Sequence, residues 1–118
     1  MKDQVIKAIG AHGLWKARLK SSVDAGCIEM DAATIEKDNL CEFGKWLYSD
    51  GLKGITTDPN YQKIKSLHAD FHKVVAKVLR FIEQGNNAAA TEMMSMQGEY
   101  TLASQKLVEA LMDWSKKL

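Results

Sequence analysis

The sequence is short of nearly everything that would take it away from a folded, water-facing helical domain. It has one proline and eight glycines in 118 residues and no low-complexity tract, so it does not read as a disordered chain. Sixteen basic residues against fifteen acidic ones leave a net charge of +1. That balance gives no electrostatic footprint for nucleic acid and no polybasic arm. No apolar run is long enough to span a bilayer, and Met1-Lys2-Asp3 leads straight into a helical pattern rather than a signal peptide. The expected location is cytoplasmic. There are only two cysteines, Cys27 in a linker and Cys41 in a motif, and a structural disulfide is not favoured.

What is present is helical periodicity. The first pattern runs from about Asp3 to Val23 with Val5, Ala8, His12, Trp15, Leu19 and Ser22 in its apolar stripe, and Ile9 and Val23 widen that face. Gly26 marks a break, and Asp31 to Ile35 has the makings of one helical turn. Asn39 reads as an N-cap with Glu42 three residues on, which places Cys41 in the first turn of a short helix from Leu40 to Tyr48. Amide dipoles at a helix start favour a thiolate there. Gly51 and Gly54 end that segment.

Asp58-Pro59 is a capping side chain followed by proline at the first helical position, and it opens a helix to about Glu83. Its seam is Tyr61, Ile64, His68, Phe71, Val75, Val78 and Ile82, with His72 one turn below His68. Gly85-Asn86-Asn87 forms a turn. The last helix is expected from about Ala88 to Lys116 on an unbroken seam of Ala90, Met93, Gln97, Tyr100, Ser104, Leu107, Leu111, Trp114 and Leu118. Three long helices, one short Cys-bearing helix and no strand pattern predict an all-α, antiparallel, four-helix-bundle-like fold, residues 1–118 forming one domain. The linker after the first helix has to cross back over the bundle to deliver Cys41.

All three histidines of the chain fall in or beside apolar stripes. A buried neutral imidazole needs hydrogen-bond partners, and the seams offer few. His12, Cys41, His68 and His72 supply the three imidazoles and one thiolate of a closed four-coordinate zinc site. The alternative is that each histidine is separately a satisfied core residue. Two imidazoles four residues apart share a helix face and can grip one ion. Soft thiolate with imidazole selects Zn2+ over magnesium or calcium, although copper(I) accepts the same ligands.

These residues also carry a resemblance. His12-x-x-Trp15-Lys16, Cys41-x-x-Gly44-Lys45-Trp46-Leu47 and His68-x-x-Phe71-His72, in this order and with Pro59-Asn60-Tyr61 between them, resemble the chemoreceptor zinc-binding (CZB) domain over nearly the whole chain. The resemblance implies a cytoplasmic bacterial sensory domain that binds Zn2+ through His12, Cys41, His68 and His72 and usually forms a homodimer. It also implies an output module, of the chemoreceptor or diguanylate cyclase type, which this chain does not contain. Trp15, Trp46 and Phe71 match family positions, as does Gly44. The three aromatic rings are expected to pack beside the site and exclude water. Met93, Met94, Met96 and Met112 are expected as core filler or interface.

An enzyme is not expected. A catalytic zinc keeps an open position, and Ala69 stands where a His-Glu-x-x-His hydrolase has glutamate. A di-iron bundle needs carboxylates in its seams, and these have none. Two readings remain: a sensory domain whose zinc occupancy or Cys41 oxidation controls an output, or a bundle in which zinc is purely structural and the domain serves protein–protein interaction.

Overall fold

In a computed structural model, residues 2–27, 31–39, 41–49, 54 and 57–118 are described, and they form helices and no strand. Helix α1 spans Lys2–Ala25, buries the expected stripe from Val5 to Ser22, and stops where Gly26 takes φ +71°. Only glycine adopts that left-handed conformation without strain. Helix α2 is the single turn Ala32–Ile35, capped by the Asp31 carboxylate, which accepts from the Ala33 amide at 3.3 Å. Helix α3 is Glu42–Leu47. Helix α4, Pro59–Glu83, starts at the expected Asp58-Pro59 signal, with the Asp58 carboxylate accepting from the Asn60 amide at 2.9 Å. Of the residues expected around α3, Leu40 and Gly51 lie outside the described ones.

The last seam is not one helix. It divides into α5, Asn87–Met93, and α6, Glu99–Lys117. Gly98 lies so close to the Met93 carbonyl that no Cβ fits there. The hydroxyl of Thr101 donates to the Ser95 carbonyl at 2.6 Å, so side chains satisfy backbone groups that a continuous helix would have paired. Apolar periodicity passes over this break unchanged, which is why the sequence pattern hid it. Gln97 is exposed and Ser104 only half-buried, and Leu118 is exposed, so the seam loses those members. Met93 is in the core, whereas Met96 and Met112 face outward.

Helices α4 and α6 run antiparallel. Lys77 pairs with Glu99 at one end at 2.9 Å, and Lys117 reaches the Asn60 side chain at the other at 3.4 Å. Helix α1 runs parallel to α4: His12 packs on Phe71, and the Asn87 amide group, just beyond the end of α4, donates to the Val23 carbonyl at 3.2 Å. Two parallel helices require a return crossing, and α2 and α3 lie on it. Buried residues from every helix among the described residues join one apolar cluster, with Leu19, Val75, Leu79, Leu107, Leu111 and Trp114 among its most enclosed members. Each such side chain contributes roughly 1.5–3 kcal/mol by burial. That cluster fixes α1 against α4, and with them the two faces that carry the histidines. No helix among the described residues is long and apolar enough to cross a membrane.

Candidate metal centre

His12, Cys41, His68 and His72 come from three separate helical elements, and one donor atom from each lies within 4.8 Å of the others. The three histidines are buried and Cys41 is half-buried. His68 Nε2 is 3.1 Å from His72 Nε2 and 3.3 Å from Cys41 Sγ. A tetrahedral centre with zinc–nitrogen bonds of about 2.0–2.1 Å and a zinc–sulfur bond of about 2.3 Å puts neighbouring donors roughly 3.3–3.6 Å apart. The observed separations are therefore close to the edges of such a tetrahedron.

Backbone carbonyls set the proton positions. His12 Nδ1 lies 2.6 Å from the Ala8 carbonyl, one turn back on α1. His72 Nδ1 lies 2.8 Å from the Ile35 carbonyl at the end of α2. A contact with an acceptor requires the proton on Nδ1, so each ring keeps its Nε2 lone pair for the cluster. His68 Nε2 then meets a lone pair on His72 and the sulfur of Cys41, and one proton can bridge to only one of them. Its buried Nδ1 has no partner among the described residues. The centre has more converging lone pairs than protons to share, and a cation resolves that deficit. The residues present therefore fit a zinc ion.

Electrostatics agrees. Burial lowers the pKa of His12 from 6.5 to about 4, against the raising effect of the Ala8 carbonyl. Burial, joined by repulsion from His72 and His12, lowers that of His68 to about 2. His72 is lowered too, mainly by burial, while the Ile35 carbonyl and Asp38 pull it back up. Neutral imidazoles are the form a metal needs.

Cys41 departs from expectation in two ways. It does not sit inside the first turn behind an Asn39 cap. It is itself the N-cap of α3, with φ −76° and ψ 160°, and its Sγ accepts from the Gly44 amide at 3.3 Å. The reason lies at Gly44, whose α-carbon packs so tightly on the Asp38 carbonyl that a Cβ would collide with it. Residues 38–39 therefore cross over the first turn and cannot begin it. The thiol is also not made acidic by its place at a helix start. Burial raises its pKa and outweighs the Gly44 and Phe43 amides, which lower it, while Asp38 pushes it further up. A nearby cation, rather than the short helix alone, has to favour the thiolate.

Phe71 packs edge-on against His12 with ring centroids 5.2 Å apart. Trp46 stacks on Phe43 at 5.5 Å and reaches Trp114 of α6 at 6.0 Å. Trp15 carries the Arg18 guanidinium on its face at 4.1 Å. The residue that the sequence reading missed is Phe43, which lies edge-on to His12 at 5.9 Å and to His68 at 5.2 Å. Its place two residues after Cys41, on an apolar position of α3, was the available signal. The Ala8 and Ile35 carbonyls had none, because main-chain acceptors have no sequence signature.

No curated protein sequence and no solved structure gives a significant match. The sequence model of the chemoreceptor zinc-binding domain matches residues 12–79, which begins at His12, takes in all four clustered residues and covers more than half the chain. With the three-histidine, one-cysteine cluster placed to hold a metal ion inside that range, the chain belongs to the chemoreceptor zinc-binding domain family.

Proposed function

We propose that the chain is a zinc-responsive regulatory domain in which His12, Cys41, His68 and His72 are the four ligands. The observation that carries this reading is the convergence of one nitrogen from each of three imidazoles and one sulfur with too few protons between them. Zinc, when bound, supplies the positive charge that holds the thiolate and the three neutral imidazoles together. The chain's own residues do the rest. His68 and His72 are fixed by the core packing of α4 and His12 by that of α1. Cys41 ties six residues of α3 to them. Four protein donors complete a tetrahedral shell, so in this reading the domain has no catalytic position.

The response is local. α3 docked through Cys41 and α3 released are the two states, and zinc level or oxidation of the Cys41 sulfur shifts the balance between them. A partner or fused module of the chemoreceptor or cyclase type would read that change, in the cytoplasm. A homodimer belongs to the same reading: Ile6 and Leu14 project from the outer side of α1 at 51% and 65% exposure, an apolar face of the kind a second copy covers.

Metal analysis of the purified chain beside Cys41→Ala tests the site. One zinc per chain, with weaker binding in the variant, is the expected result, and full retention by Cys41→Ala would overturn the ligand set. Hydrogen exchange tests the response. Residues 42–47 should lose protection when zinc is removed while α4 keeps its own. Equal protection of α3 in both conditions would leave zinc as a purely structural ion.

A further inference from the structure

The four donors are not equally enclosed. A half-open cleft of about 300 Å³ lies between α1 and α3, and His12 and Cys41 belong to its lining while His68 and His72 do not. The walls are aromatic: Trp15 on the α1 side, Phe43 and Trp46 on the α3 side. Lys7 and Glu42 stand at the exposed rim. A volume near the lower end of the range for ligand pockets admits a small planar molecule.

The charges select the head group. With zinc bound, three neutral imidazoles and one thiolate would leave a net positive charge beside the cleft, and Lys7 adds a cation at the rim. Glu42 at the same rim directs an anion inward, towards the floor. Walls of indole and phenyl favour an aromatic body packed against them.

We propose that this cleft binds a small organic anion with a planar aromatic body and a metal-binding carboxylate head, and that such anions exchange the metal through it. This rests on the zinc reading above. In the exchange, a lone pair of the carboxylate would form the new bond to the metal, and the bond to Cys41 Sγ would break with its electron pair staying on sulfur, the thiolate taking a proton from solvent. No oxidation state changes. His68 and His72 would hold the metal from the closed side, and the bonds to the three imidazoles would break last, each nitrogen keeping its lone pair as further donors of the incoming ligand and water take its place on the metal.

The test uses the zinc-loaded chain and two chelators. Dipicolinate is planar, aromatic and doubly anionic. EDTA is bulkier and has no ring to stack. Zinc release to dipicolinate should speed up with chelator concentration and level off as the cleft fills. Release to EDTA should be slower and independent of concentration. Ala11→Trp adds a ring to an exposed position of the lining and should slow the dipicolinate route roughly tenfold, with the EDTA rate and zinc affinity unchanged. Lys7→Glu should slow it too, by reversing the charge at the rim. Identical, concentration-independent release to both chelators would overturn the proposal, as would a dipicolinate rate that neither variant alters. The two levels separate cleanly: a chain that takes up no zinc defeats the zinc reading and this one with it, whereas a zinc-bound chain with concentration-independent release defeats only the cleft.

Discussion

His68 on α4 and Cys41 ahead of α3 face each other across 3.3 Å, yet the elements behind them are held by different forces. Helix α4 buries ten residues, two of them the histidines, along 25 residues of continuous backbone pairing. Helix α3 has six residues, three of them buried, and a cap made by the same sulfur that faces the histidines. The Tyr61 hydroxyl, donating to the Leu47 carbonyl at 2.6 Å, pins its far end. A helix of that length is not stable by itself in water. One half of the site is therefore part of the core, and the other half is a short element whose position depends on a few contacts. In the reading proposed above, a metal centre would join regions of very different intrinsic stability and make the weaker one conditional.

The largest expected effect tests the strong half. Phe71→Ala removes a fully buried ring from α4 and should cost about 3–5 kcal/mol of global stability in the denaturant midpoint. Leu47→Ala, although equally enclosed, should cost about 2 kcal/mol, because α3 can detach without unfolding the bundle. Equal costs for the two would erase the contrast. Gly44→Ala comes next: its Cβ collides with the Asp38 carbonyl and displaces the amide that bonds Cys41 Sγ. Zinc affinity should fall about 10–100-fold, the usual penalty for losing a group that orients a ligand. The melting temperature of the zinc-free chain should hardly move, and a large drop there would show that α3 is structural rather than conditional.

A pH series sharpens the same point. The unfolded imidazoles take up protons below their ordinary value of 6.5, but folded His12 resists protonation down to about 4 and folded His68 to about 2. The unfolded state thus binds more protons in that window, so stability is full above pH 6.5 and is lost progressively as pH falls, down to about 4 for the His12 contribution and about 2 for that of His68. Zinc retention should fall in the same direction, because protons compete for the same atoms. A zinc-free melting temperature that stays level between about pH 7 and about pH 5 would show that the imidazoles are already solvated. The smallest effect is expected from Arg80→Ala, which removes an exposed ion pair with Glu36 at 2.5 Å. Zinc affinity should be unchanged, since His72 is held by the Ile35 carbonyl and not by that pair.

Legibility followed the physics of each feature. The stripes of α1 and α4, the Asp58-Pro59 start and the Gly26 stop were readable because each is a side-chain pattern with a local cause. The four clustered residues were readable because three imidazoles in or beside apolar stripes find few hydrogen-bond partners there, and because the motifs around them and Cys41 resemble a zinc-binding family. The break at Gly98 was not, since apolar spacing continues across it. Nor was the cap at Cys41, where Asn39 and Glu42 supplied a better signal that the backbone contact between Asp38 and Gly44 overruled.

By itself, the sequence determined an all-helical chain, two of its long helices, a short element carrying Cys41, and which four side chains could share a metal. Composition and periodicity suffice for that, because burial of an amphipathic face follows from spacing alone. The tertiary structure alone decided that α1 and α4 run parallel, that the Ala8 and Ile35 carbonyls choose the tautomers, that Phe43 walls the site, and that a cleft leaves the His12–Cys41 side open. Each of these depends on how separate elements approach one another, and the placing of Cys41 ahead of α3 depends besides on a glycine at 44, whose missing Cβ lets residue 38 lie across the start of that helix.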